Sequence, residues 1–209
     1  MEYNDKQQQI ISTAEKLFAS NGFDGTSVRD IATEAGVNLA MISYYFGSKE
    51  KLMQAVFAMR TEHMRLRFQT LLENKDLAPL QKVYLLVDDY IDKILEQQEF
   101  HKIMMREQMI NKNSAIALMI CETKKRNMEL IKKLINEGQK AGQFKKNIDV
   151  MLLMTTLIGT TSQLVTTQHF YREVSNHQDM PDDEFQKHLK KKLSTHLKSL
   201  FKALLTYEN

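Results

Sequence analysis

The sequence predicts an all-α protein, with a small N-terminal three-helix unit joined to a larger helical domain. Two observations carry this. The 209 residues hold only two prolines and seven glycines, with no tryptophan and an abundance of good helix formers. Apolar residues recur at helical spacing from residue 10 almost to the C-terminus, interrupted by short polar or glycine-containing breaks. The length is ample for a sizeable core.

The first helix is expected over residues 6–21, where Ile10, Ile11, Ala14, Leu17 and Phe18 form an apolar stripe and Asn21-Gly22 closes it. Phe23 is expected to plug the core behind it. Ser27 with Asp30 three residues later forms a capping-box pattern before Val28, Ile31 and Ala32. Gly36 follows Ala35 where a helix must end in a left-handed residue. Asn38 is the next N-cap, opening a helix with Leu39, Ala40, Met41, Ile42, Ser43 and Tyr44. Gly47-Ser48 ends that helix and caps another, with Glu50 in its first turn where a carboxylate suits the helix dipole.

Two helices across a short glycine-containing turn make a helix-turn-helix, whose second helix enters a DNA major groove. The surface between core positions Val37, Ile42 and Phe46 is rich in hydroxyls and aromatics (Asn38, Ser43, Tyr44, Tyr45), and Arg29 and Lys49 stand at neighbouring helix starts. Hydroxyls, cations and helix N-termini are the groups that bind phosphate oxygens. Charge argues the other way. The net charge is only +3, and residues 1–52 hold five Lys/Arg against seven Asp/Glu. Attraction to DNA must therefore come from local placement of cations rather than from a basic surface.

The run Gly22-Phe23…Gly25-Thr26-Ser27-Val28-Arg29-Asp30-Ile31-Ala32…Ala35-Gly36-Val37, then Ile42-Ser43-Tyr44-Tyr45-Phe46 and Ser48-Lys49-Glu50-Lys51-Leu52, resembles the N-terminal domain of the TetR family of bacterial transcriptional regulators. The resemblance implies a DNA-binding domain over 1–52 and a ligand-binding and dimerisation domain over 53–209. It implies base contacts from Asn38, Leu39, Ala40 and Met41, and phosphate contacts from Ser27, Arg29, Ser43, Tyr44, Tyr45 and Lys49. Ser43 stands where the family commonly has tyrosine. Leu39 stands where a polar residue is common, and it offers only apolar contact, best with a thymine methyl.

Beyond Leu52 the pattern continues without a break to about Glu73, long enough to reach well past the small unit. Its apolar positions include Ala55, Val56, Met59, Met64, Leu66, Phe68 and Leu71. Further helices are expected at 77–97, with Pro79 in the first turn, and at 100–110 and 114–141. The last of these ends in Gly138…Gly142-Gln143-Phe144, with Gly142 as the left-handed residue and Phe144 folding back. Tyr84, His101, Met104, Met105, Arg106, Met109 and Met128 are candidates to contact a small apolar ligand of unknown identity, methionines accommodating irregular apolar shapes.

Residues 150–171 contain no Asp, Glu, Lys or Arg. Six threonines, Ser162, Gln163, Gln168 and His169 dilute the run, so a mostly buried helix is expected rather than a membrane span. A final helix over 182–207 carries Phe185, Leu189, Leu193, Leu197, Leu200, Phe201 and Leu204 on one face and six lysines on another. That lysine face is read as solvated rather than as a second DNA contact. These two segments resemble the pair with which the TetR family forms a four-helix dimer interface, here through Leu157, Gly159, Thr160, Leu164, Leu189, Leu193, Leu197 and Leu200. A two-fold homodimer places recognition helices about 34–36 Å apart and favours a palindromic operator.

The competing functional classes are an enzyme and a helical interaction module. There is no phosphate-binding glycine loop, HExxH or G-x-S-x-G, and the six histidines (63, 101, 169, 177, 188 and 196) show no ligand spacing. No cofactor or metal is expected. A single cysteine, Cys121, and a polar N-terminus without an apolar signal region fit a cytoplasmic location.

Overall fold

The structure is a computed structural model that describes residues 3–110 and 114–207, without the side chains of residues 63 and 64. The expectations for His63 and Met64 therefore lie outside the described side chains. The described residues form ten helices and no strand: α1 (Asp5–Asn21), α2 (Val28–Glu34), α3 (Leu39–Phe46), α4 (Lys49–Glu73), α5 (Pro79–Glu96), α6 (Gln98–Ile110), α7 (Ala115–Lys140), α8 (Val150–Thr166), α9 (Gln168–Val174) and α10 (Asp182–Leu205). Two compact units emerge. One holds α1, α2, α3, α4 as far as Arg67, and Gln98–Lys124; the other holds Phe68–Gln97 and everything described from Lys125 onward. The sequence expectation placed a boundary at 52/53, part-way along what is one continuous helix.

In the first unit α1 begins at a capping box. Asn4 accepts from the Gln7 backbone at 2.9 Å, and the Gln7 side chain accepts from the Asn4 backbone at 3.0 Å. Its stripe Ile10, Ile11, Ala14 and Phe18 is buried against Ile31 of α2, Ile42 and Phe46 of α3, and Leu52, Met53 and Val56 of α4. Full burial of such a side chain is worth about 1.5–3 kcal/mol. Phe23 tilts onto Phe18 with ring centroids 5.4 Å apart. Among the buried polar groups of this unit, Glu15 accepts a fork of hydrogen bonds from Arg60, at 2.9 Å between Oε2 and Nε. The helix α6 closes the unit, with Phe100 edge-on to Phe57 at 4.9 Å.

In the second unit α10 buries Phe185, Leu189, Leu193, Leu197, Phe201 and Leu205 along one stripe. It runs antiparallel to α5 in a register marked by ion pairs: Lys198 and Ser194 meet Asp88, and Lys190 meets Asp92 at 2.6 Å. Lys82 of α5 is wholly buried, donating to the Leu72 carbonyl at 3.0 Å and to Glu137 of α7 at 2.8 Å. At its end α7 closes in two reverse bonds, Gln143 N–H to Gly138 O at 2.9 Å and Gly142 N–H to Gln139 O at 3.1 Å, with Gly142 at φ +70°. Phe144 folds back onto this turn, so close that a Cβ on Gly138 would fall 2.1 Å from its ring.

The charge-free run is two helices rather than one. The first, α8, is capped by Asp149 and ends at Thr167, whose hydroxyl donates to the Gln163 carbonyl at 2.7 Å, and α9 leaves at 73°. No single helix is long and apolar enough to cross a membrane; the bent pair passes that test by length and composition only. Nor is the run mostly buried: Met151, Leu152, Gly159, Gln163, Thr166 and Phe170 are exposed.

Candidate nucleic-acid interface

The corner between α2 and α3 is built almost entirely from local hydrogen bonds. Ser27 accepts from the Asp30 backbone at 3.1 Å while Asp30 accepts from the Ser27 backbone at 2.8 Å. Hydrogen bonds to the Asp30 carboxyl, from the Ser27 hydroxyl first and then from the Ser27 backbone N–H, hold it below its ordinary pKa, so the acid is committed to the cap. Ala35 stays right-handed, Gly36 turns at φ +59°, and the Val37 N–H returns to the Ala32 carbonyl at 3.0 Å. Asn38 then caps α3, accepting from Ala40 at 2.9 Å. Ile42 and Phe46 anchor α3 in the core while Asn38, Leu39 and Ala40 stand exposed at its N-terminal end, with Met41 half-buried beside them.

The six phosphate candidates differ in what they have free. Arg29, Ser43 and Tyr44 are exposed, Tyr44 at 84%. Tyr45 is half-buried against the core and meets Tyr44 edge-on at 5.3 Å. Ser27 is exposed but its hydroxyl serves the cap. Lys49 is tied inward: its Nζ donates to the carbonyls of Phe23 at 2.9 Å and Thr26 at 3.0 Å, and lies 4.4 Å over the Phe23 ring. An ammonium has three N–H bonds, so one remains. Sequence reasoning missed this tether, which joins residues more than twenty positions apart.

Residues 10–56 match "Bacterial regulatory proteins, tetR family", and residues 79–195, more than half of the chain, match "Tetracyclin repressor-like, C-terminal domain". The chain belongs to the tetR family. A curated tetR-type relative, the fatty acid metabolism regulator protein of Bacillus subtilis (strain 168), is 26% identical over 162 residues, covering 78% of this chain and 82% of its own length. Among solved structures, the ketosteroid transcriptional regulator KstR2 of Mycobacterium tuberculosis superposes with a TM-score of 0.73 at 20% identity, covering 99% of this chain and 98% of that one. FadR from Bacillus subtilis, solved in complex with stearoyl-CoA, superposes with a TM-score of 0.67 at 23% identity over 92% of this chain and 97% of that one.

The ligand candidates of this tetR-family chain are distributed over both units. Tyr84 and Met128 belong to the second unit, whereas His101, Met104, Met105, Arg106 and Met109 belong to the first. Met109 is 76% exposed and Met105 is exposed, while the Arg106 guanidinium lies against Gly22, 2.7 Å from where a Cβ would be. The second unit contains a narrow apolar cleft lined by Val83, Leu86 and Val87 of α5, Ile131, Leu134 and Ile135 of α7, Leu153, Met154 and Leu157 of α8, and Phe201 of α10. None of the seven candidates lines it. The sequence signal for the cleft is the paired apolar spacing of 83/86/87 and 153/154/157.

The interface candidates also divide. Leu157, Leu189, Leu193 and Leu197 are buried inside their own chain, the α10 leucines at 2% exposure or less. They belong to the intrachain core and offer a partner no surface, which corrects the expectation for these four. Gly159 is exposed, and Thr160, Leu164 and Leu200 are half-buried.

Proposed function

We propose that this chain is a ligand-responsive repressor that binds a palindromic operator as a homodimer and is released by a small hydrophobic effector. Residues 1–52 serve as the DNA-binding domain and 53–209 as the ligand-binding and dimerisation domain. The observation that carries this reading is the exposed N-terminal end of α3: Asn38, Leu39 and Ala40 project from a capped corner and are left uncovered by the described residues. Asn38, Leu39, Ala40 and Met41 face the bases. Arg29, Tyr44, Ser43 and the remaining N–H of Lys49 take backbone phosphates, with Ser27 and Tyr45 at the edge of that surface. Dimerisation uses the outward face of α8 around Gly159, Thr160 and Leu164 with Leu200 of α10. No catalytic, metal or cofactor role is assigned, and the location is cytoplasmic.

The effector occupies the apolar cleft of the second unit. The relative FadR was solved with stearoyl-CoA, which supports an amphiphilic or apolar ligand for such a scaffold. A ligand releases DNA only by binding the non-operator state more tightly than the operator-bound one. Footprinting on DNA flanking the protein's own gene, at two salt concentrations, tests the reading. A protected palindrome with affinity falling steeply in salt is expected. Absence of any salt-dependent protection on that DNA would replace it with a protein-binding module.

A further inference from the structure

The cleft has a polar end that the apolar lining conceals. Val83 and Val87 of α5 lie beside Leu153 and Leu157 of α8, and Tyr90 lies beside Ser162, so the two helices run parallel. One turn beyond Val87 stands Tyr90, and one turn beyond Leu157 stands Thr161, a step of about 6 Å or less on each helix. Thr161 is 0% exposed and its hydroxyl meets no hydrogen-bond partner; Ser162 is 5% exposed and its hydroxyl likewise forms no full hydrogen bond. Burial pushes the Tyr90 phenol up to about 12, an effect that the nearby Ser162 reduces. A buried hydroxyl without a partner is unfavourable, and a polar occupant within reach would satisfy it. One turn further, Lys93 carries an ammonium whose pKa burial lowers, and it pairs with no carboxylate among the described residues.

We propose that the effector is a single-chain amphiphile with a carboxylate head. Its hydrocarbon lies in the cleft between α5 and α8, and its head accepts hydrogen bonds from Tyr90, Thr161 and Ser162 with Lys93 as counter-charge. This rests on the effector reading above. The chemistry selects an anion over a neutral head because three hydroxyls can all donate to a carboxylate. An unpaired lysine supplies the charge that desolvating the carboxylate requires.

Isothermal titration of the full chain with octanoate, 1-octanol and octane tests it. Octanoate should bind about tenfold more tightly than 1-octanol, and octane most weakly. Thr161→Val and Tyr90→Phe should each weaken octanoate about tenfold and leave octane unchanged, and Lys93→Met should remove the preference for octanoate over 1-octanol. Thr161→Val keeps the side-chain shape, so it stays informative even if Tyr90→Phe does not fold. Equal binding of all three compounds, indifferent to these substitutions, would overturn the polar head while leaving an apolar effector. Failure of all three compounds to bind or raise the melting temperature would overturn the effector cleft itself, and the carboxylate reading with it.

Discussion

Lys49 holds the loop before α2 by donating from one Nζ to two carbonyls, those of Phe23 and Thr26. The residue is thus both a clasp inside the small unit and a candidate phosphate donor. Lys49→Met should therefore do two things at once. It should destabilise the fold by about 1–3 kcal/mol, because two carbonyls lose a charged donor, and it should weaken binding to every DNA sequence. Urea denaturation and fluorescence anisotropy with operator and random duplexes measure the two effects; unchanged stability would show that the clasp is dispensable.

Tyr44 offers the cleaner test of the DNA face, since it is 84% exposed. Tyr44→Ala should alter stability by no more than about 0.5 kcal/mol while lowering affinity uniformly for operator and non-operator DNA. Tyr45→Ala should lower affinity as well, but with a stability loss from its half-buried ring. Full affinity in both variants would put the DNA on another face.

Gly138 is fixed by space, and Gly142 by conformation. Gly138→Ala drives a methyl into the Phe144 ring and should be destabilising by about 1–3 kcal/mol. Gly142→Ala meets no atoms but must hold φ +70°, with a loss of about 1 kcal/mol. In the double variant Gly138→Ala with Phe144→Ala, the steric part should disappear, which thermal unfolding of the four proteins would reveal.

His188 titrates abnormally. Its pKa is lowered from 6.5 by burial first, then by His177, with rings 4.6 Å apart, and by Lys192 and Lys191. A depressed pKa in the folded state means that its stabilising contribution is present above the unfolded value and lost as pH falls through the folded one. Stability should decline on acidification below about pH 6.5, and His188→Gln should decline less steeply. Urea midpoints measured from neutral to mildly acid pH decide this; parallel profiles would mean that other groups dominate.

What was legible in the sequence was local. The caps at Ser27–Asp30 and Asn38 and the turns at Gly36, Gly47 and Gly142 each need only a few consecutive residues, and each is present in the structure. Polar pairings across sequence were not legible. Glu15–Arg60, Lys82–Glu137 and the Lys49 clasp join residues 45, 55 and more than twenty positions apart, and composition says nothing about such partners. The break at Thr167 was hidden for another reason: a run without charges looks continuous, and a threonine that bonds back to its own helix leaves no mark in hydropathy. Exposure was not legible from the methionines either, since polarizability and burial are separate properties: Met109 is exposed and Met104 packs against the core.

The ion pairs between α5 and α10 change how the lysine-rich tail of the chain meets its surroundings. Lys190 and Lys198 carry their neutralising anions with them as Asp92 and Asp88. Neither cation is left without a neutralising carboxylate to meet a polyanion. Removing Asp88 or Asp92 should therefore release one more cation on a helix face that already carries other lysines.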